Sequence, residues 1–234
     1  MSFYLFIFII NTVIMKTSLT NVYFMPGMSA NSSIFEYIKL PDTEFKLHFL
    51  EWIIPYENES ISEYAFRLSK KITHNNSVLI GVSFGGILVQ EMTRFLQVSK
   101  VIVVSSVLNE NDFPYRFKVA KYTKIYKLIP MRIFSDIDKL SKYAFGSVVK
   151  NRVDLYKKYL SVNDVRYLNW AVDQVINWKQ TQNIENVIHI HGENDKVFPA
   201  KNINNNYIKV SNGSHIMIIN KYKWFNENLP KANF

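Results

Sequence analysis

Six consecutive residues, Gly81-Val82-Ser83-Phe84-Gly85-Gly86, set one serine between two glycines in the pattern G-x-S-x-G. The run before them, Val78 to Val82, is apolar and β-prone, and the run from Ile87 onward has helical periodicity. A serine on a sharp strand-to-helix turn needs glycine on either side, because a side chain there would collide with the neighbouring strand or helix. Such a turn lifts the hydroxyl out of the sheet as an exposed nucleophile. The Phe84 N–H then lies at a helix start, where unpaired donors can face a developing oxyanion.

A serine hydroxyl attacks well only when a base takes its proton. Of the five histidines, His48 and His189 fall inside strands, and His74 ends a helical stretch beside Asn75 and Asn76, where exposure is expected. His191 closes a strand before Gly192. His215, in Ser211-Asn212-Gly213-Ser214-His215, follows the last strand in a glycine-containing loop and is the best-placed base. A lone loop histidine is more often structural than catalytic; the chain order Ser, acid, His at strand ends is what favours the catalytic reading. The acid expected between them is Asp195, in His191-Gly192-Glu193-Asn194-Asp195-Lys196-Val197-Phe198-Pro199. Glu193 is its local rival, and a turn-capping role is the plain alternative for Asp195 itself. Asp173, within a helical run, and Asp164, at an N-cap position, read as structural.

The elements that must position these residues alternate. Strands are expected at Asn21–Phe24, Phe45–Glu51, Ser77–Val82, Lys100–Ser105, Asn186–His191 and Tyr207–Val210. Helices are expected at Ser60–Lys71, with Ser60 and Glu63 as a capping box, at Ile87–Gln97 and at Tyr222–Asn228. Strand-helix alternation of this kind predicts an α/β fold with a mostly parallel, doubly wound sheet of about six strands. It breaks over 107–185, where helical patterns follow one another without a strand. Within that insertion Tyr122, Ile125, Tyr126 and Ile129 form an i, i+3, i+4, i+7 stripe, and a second amphipathic pattern runs from Asp164 to Trp178.

With Ser83, Asp195 and His215 in this order and context, the chain resembles the α/β-hydrolase family. The likeness runs from about Asn21 to the end, with the elbow and the His-Gly-x-x-Asp-x-x-x-Pro stretch as its specific parts. Trp170-Ala171, Trp178-Lys179 and the Gly-Ser-His-Ile-Met run are more loosely similar to short bacterial hydrolases without an assigned substrate. The resemblance implies a core of 15–106 and 186–234, with 107–185 as a helical cap that shapes and gates an acyl pocket. Trp170 and Trp178 would then touch substrate. The family usually carries His-Gly after its third strand, whereas here Pro26-Gly27 stands there, followed by Met28-Ser29-Ala30. Met28 N–H would be the second oxyanion donor, beside Phe84 N–H. Serine at the elbow disfavours the dehalogenase and epoxide hydrolase chemistries that the resemblance associates with aspartate at that place.

Composition removes other classes. The 234 residues contain no cysteine, which excludes disulfides, thiolate zinc sites and a cysteine nucleophile. The net charge is +9, six of it within 107–185, and Arg116 to Arg132 holds six basic residues and no acidic one. Such a face can steer an anionic substrate or meet anionic lipid, but a solvated helix face is the simpler reading. No nucleic-acid motif accompanies the charge, and His189 with His191 lacks further clustered ligands for a metal. No cofactor, metal or nucleic acid is therefore expected; the partner is a small acyl substrate, and no oligomeric state follows. Phe3 to Ile14 is almost wholly apolar but shorter than the roughly 20 residues of a spanning helix. Three readings of 1–14 stay open: an extension upstream of a start at Met15, an export or anchor segment, or an added strand. A cytoplasmic location is expected, with export or membrane association as the alternative. Two functions follow for the chain: a serine hydrolase acting on an ester or thioester, or a catalytically weak binding module whose basic cap engages a membrane surface or an anionic partner.

Overall fold

Six runs rich in Val, Ile, Leu and Phe pair side by side: β1 Thr20–Met25, β2 Phe45–Phe49, β3 Ser77–Val82, β4 Val98–Val104, β5 Val187–Gly192 and β6 Ile208–Val210. The computed structural model describes residues 19–128 and 158–232. All pairings are parallel, in the order β2-β1-β3-β4-β5-β6. Parallel strands need crossovers and are covered on both faces, so their side chains alternate between two cores. Tyr23, Met25, Leu79, Val101 and Val103 enter one; Val22, Phe24, Ile80, Ile102 and Val104 enter the other. Each fully buried Val, Leu or Ile contributes about 1.5–3 kcal/mol.

The helices α1 Ile61–Ser69, α2 Phe84–Met92 and α4 Val165–Asn177 cover the first face, while α5 Met217–Asn220 and α6 Tyr222–Asn228 cover the second. The capping box expected at Ser60 and Glu63 forms, and Asp164 caps α4 by accepting from the N–H groups of Arg166 and Tyr167. α2 departs from expectation at both ends. It starts three residues early, at Phe84, because the Ser83 turn launches it directly despite two glycines. It stops at Met92, after which the N–H groups of Thr93, Arg94 and Phe95 bond three residues back.

Between β4 and β5 the described residues hold helices and no strand. One expectation there is corrected. The Tyr122 stripe is not one helix face: α3, Tyr115–Thr123, ends at Lys124 in a left-handed conformation, φ 54°, and a 3-10 turn follows over Ile125–Leu128. Tyr122 and Ile125 face solvent, whereas Tyr126 is buried and donates its hydroxyl to Asp173 at 2.7 Å. Ile129, the end of the basic run at Arg132, and residues 1–14 lie outside the described residues. Among the described residues no helix is long and apolar enough to cross a membrane.

The strand order matters for function. β1 leads outward to β2 and then back across to β3, so the direction in which strands are added to the sheet reverses between β1 and β3, and a crevice opens at their carboxyl ends. Met25 pairs with Gly81 there, which brings Gly27 and Ser83 side by side two residues on. On the same face, the chain leaving α4 is fastened down by Trp178, whose indole N–H donates to the buried Glu91 of α2 at 2.8 Å. Glu91 is also paired with Arg94 at 2.9 Å. Replacing Trp178 by Phe keeps most of the packing and removes one donor from a buried carboxylate; stability should fall by about 1–3 kcal/mol, read as a lower urea midpoint at unchanged slope.

Candidate active site

Ser83 has φ 54° and ψ −121°, a backbone conformation that L side chains rarely adopt. Four hydrogen bonds hold its backbone: its N–H donates to Val104 O at 2.9 Å, while its carbonyl accepts from Gly86 N at 2.8 Å, Ile87 N at 3.4 Å and the Ser106 hydroxyl at 2.6 Å. The flanking glycines are required by contact, as expected. A Cβ on Gly81 would sit 2.3 Å from Gly85 O, and one on Gly85 would sit 2.4 Å from Pro26 O.

The loops after β5 and β6 bring the other two residues. Gly192 and Gly213 lie backbone against backbone, a Cβ on Gly192 falling 2.5 Å from Gly213 O, and Asn194 N donates to that same carbonyl at 2.8 Å. Across this seam His215 Nδ1 donates to Asp195 Oδ2 at 2.9 Å, which leaves Nε2 to accept from Ser83 Oγ, also at 2.9 Å. Asp195 is buried, and its other oxygen accepts from the N–H groups of Val197 at 2.8 Å and Phe198 at 2.9 Å. The ring of Phe198 stands edge-on to His215 at 5.6 Å. The rival Glu193 turns away: its carboxylate meets Asn212 N and Lys209, and these contacts hold its pKa below the usual carboxylate value. Ser83, His215 and Asp195 thus form one chain of hydrogen bonds, while His74, expected to be exposed, is half-buried and pairs with the Tyr23 hydroxyl at 2.7 Å.

Behind Asp195 lie His189 and His191, which the sequence placed in one strand as a pair short of further metal ligands. His191 Nε2 is 2.8 Å from Phe198 O, a carbonyl that can only accept, so this nitrogen carries the proton. His191 Nδ1 then accepts from His189 Nε2–H at 3.1 Å, a donor that also points at Ser106 O, 3.1 Å away. The pair ties β5 both to the residue bonded to the Ser83 carbonyl and to the turn carrying Asp195. Burial, helped by His191, lowers the His189 pKa to about 3. Burial also lowers that of His191, against the opposing pull of Asp195. Among the described residues no group of three or more His, Asp or Glu is placed to hold a metal.

Gly27, in the loop after β1, lies against Ser83; a Cβ there would be 3.4 Å from Ser83 Cβ. Residues 27–30 make a tight turn closed by Ala30 N to Gly27 O at 3.1 Å, with Ser29 at φ 65°. Met28 N–H is in this turn, and Phe84 N–H is among the first-turn donors that α2 leaves without an acceptor in the helix. Trp170 is buried, with its ring 5.8 Å from Phe84 and its N–H on Glu59 O at 2.6 Å; Trp178 is committed to Glu91. A cavity of about 830 Å³ beside Trp170 is lined by residues such as Tyr56, Arg166 and Asp173. Its lining holds no histidine, and its serine, Ser60, is committed to Glu63, so it offers no activated nucleophile.

A parallel sheet in this order, carrying a strained serine between β3 and α2, is the α/β-hydrolase fold. Solved structures agree. The chain is similar to an epoxide hydrolase from Bacillus megaterium (15% identity, 93% of this chain and 94% of that chain covered, TM-score 0.68). It is also similar to a thermophilic esterase from Thermogutta terrifontis (13%, 93% and 92%, TM-score 0.62) and a bromoperoxidase from Bacillus anthracis (15%, 92% and 92%, TM-score 0.61). At such identities what is shared is the fold. No protein-family model matches the chain, and no curated protein matches it in sequence.

The depressed His189 pKa has a consequence for acid stability. The unfolded chain takes up its proton near pH 6.5 and the folded chain only near 3, so the stabilisation is complete above 6.5 and is lost as pH falls from there toward 3. His189→Gln should therefore lose about 2 kcal/mol less than the parent between pH 6.5 and pH 5, measured by urea unfolding at each pH.

Proposed function

We propose that this protein is a serine hydrolase that cleaves an ester or thioester through an acyl-Ser83 intermediate. The observation that carries the reading is the unbroken path from Asp195 through His215 to Ser83 Oγ, each step 2.9 Å. In the first half-reaction Ser83 Oγ bonds to the acyl carbon as its proton passes to His215 Nε2. The tetrahedral oxyanion is met by the N–H groups of Met28 and Phe84. His215 returns the proton to the departing alkoxide or thiolate as the carbonyl re-forms, leaving the acyl group on Ser83. A water then gives its proton to His215 and attacks the acyl carbon, and Ser83 recovers its proton as the carboxylic acid leaves. Asp195 holds the Nδ1–H tautomer and stabilises the imidazolium; it does not itself take the proton. Phe198, against the ring, limits its rotation.

Residues 107–185 act in this reading as the cap over the site, with Trp170, through Phe84, as a wall of the acyl pocket and Trp178 fastening that wall to the core. The competing reading, a basic surface that binds an anionic partner, has less to work with than the sequence suggested. Arg116 donates to Lys196 O at 2.9 Å, Lys121 reaches Asn177 O at 3.5 Å, and Lys127 lies 3.5 Å from Asp173. Half of the basic run is spent on intramolecular partners.

Reaction of the purified protein with a fluorophosphonate probe, followed by mass spectrometry, should modify Ser83 and nothing else. Ser83→Ala should not react. Asp195→Asn should cut hydrolysis of a p-nitrophenyl ester by ~10⁴, the scale for an aspartate that sets the tautomer. Glu193→Gln should leave it within a factor of about two, as for a surface change away from the reacting atoms. Labelling that survives in Ser83→Ala, or an active Asp195→Asn beside an inactive Glu193→Gln, would sink the assignment.

A further inference from the structure

Trp52 stands in the loop after β2, at the far side of β1 from Ser83 in sheet order, and no motif marks it. It is buried, and its indole N–H donates to the carbonyl of Gly27 at 2.9 Å. Its ring lies flat on Phe84, with centroids 5.0 Å apart and planes 10° from parallel. Tyr167 of α4 closes on the same ring at 5.2 Å. One side chain thus touches Phe84, whose backbone N–H serves the oxyanion in the reading above, and the carbonyl of the peptide bond that carries the other donor, Met28 N–H.

The peptide bond explains what the indole contact does. The Gly27–Met28 unit is planar and trans, so its carbonyl and its N–H point in opposite directions, and fixing one fixes the other. Gly27 O accepts from both Trp52 Nε1 and Ala30 N, at 2.9 and 3.1 Å. Rotation of this peptide gives up two hydrogen bonds, one of them in a buried setting where a lost partner costs about 1–3 kcal/mol. A trans peptide cannot aim Met28 N–H anywhere but away from Trp52. The Ala30 bond alone belongs to the local turn and is compatible with a flipped peptide elsewhere in that turn; the indole ties the peptide to the rest of the protein.

We propose that Trp52 is a positioning residue for the oxyanion hole, holding the Gly27–Met28 peptide by its indole N–H and seating Phe84 by its ring. This rests on the acyl-Ser83 reading. Trp52 contacts neither Ser83 nor His215 in this role; it acts through the two donors. The effect belongs to the transition state, where charge develops on oxygen, so it appears in kcat and not in substrate binding.

Two substitutions separate the N–H from the ring. Trp52→Phe keeps an aromatic face on Phe84 and removes the donor. Trp52→His keeps an N–H on a five-membered ring at the position of the indole nitrogen and removes the outer ring. With a p-nitrophenyl butyrate assay, Trp52→Phe should lower kcat about 10–100-fold with KM within about threefold, short of the ~10²–10³ seen when an oxyanion donor is removed outright. Trp52→His should recover at least about tenfold of that loss, as expected if the donor and not bulk sets the peptide. A kcat for Trp52→Phe within about twofold of the parent, a loss confined to KM, or a His variant no better than Phe would overturn the proposal. If Trp52→Phe does not fold, benzothienylalanine at position 52, which keeps the bicyclic shape with sulfur in place of N–H, gives the same comparison. Fluorophosphonate labelling of the parent, absent in Ser83→Ala, establishes the underlying reading on its own. Normal labelling with an unaffected Trp52 series fails the inference alone, whereas an unlabelled parent fails the reading beneath it.

Discussion

The site depends first on the backbone of Ser83. Its left-handed φ costs on the order of 1–3 kcal/mol, and the molecule sustains it with a hydrogen bond donated to β4 and others accepted from α2 and from Ser106. Much follows from that one residue. The reversal after β3 drives Gly81 and Gly85 together at a distance that admits no side chain. It also starts α2 immediately, so that first-turn N–H groups, which no helical carbonyl takes up, stand next to the Ser83 hydroxyl.

The rest of the assembly is a matter of register. Pairing Met25 with Gly81 sets Gly27 beside Ser83, and pairing Gly192 with Val210 sets the loops of Asp195 and His215 against each other. Two of these loops are then locked from behind by buried groups that take no part in the proposed chemistry. Trp52 holds the carbonyl of Gly27, and His191, with His189 beneath it, holds the carbonyl of Phe198 next to the N–H groups that grip Asp195. Polar groups in a dry interior are costly when unpaired, so a paired one is a strong orientational constraint. Here that constraint is spent at two of the three loops around the serine.

The insertion between β4 and β5 is joined to this core by contacts that composition did not suggest. Arg116 reaches the backbone of the loop carrying Asp195, and Trp178 reaches Glu91 under α2. A lysine- and arginine-rich run read along the sequence looks like a free charged face. In three dimensions a long cationic side chain satisfies whatever carbonyl or carboxylate lies within its reach, and several of these do.

What the sequence by itself determined is local. The elbow is legible because glycine-serine-glycine between a β run and a helical run reflects sterics within six residues. The capping box at Ser60 and the strand cores are legible for the same reason, and Asp195 and His215 stand out through their places just past strand ends. The break of α3 at Lys124 was not, since helical periodicity continues through it and the turn is decided by Tyr126 reaching Asp173. The sequence ranked Asp195 above Glu193, two residues apart in the same loop, but the physical ground for the choice is tertiary: the Gly192–Gly213 seam turns Asp195 toward His215 and leaves Glu193 with Lys209 and Asn212. The indole of Trp52 had no signal at all, and the sequence paired His189 with His191 in one strand without showing what either would bond. Their partners lie at Ser106, Phe198, Gly27 and Phe84, and only the tertiary structure brings such positions within hydrogen-bonding or stacking distance, since these contacts act across space and leave no periodicity along the chain.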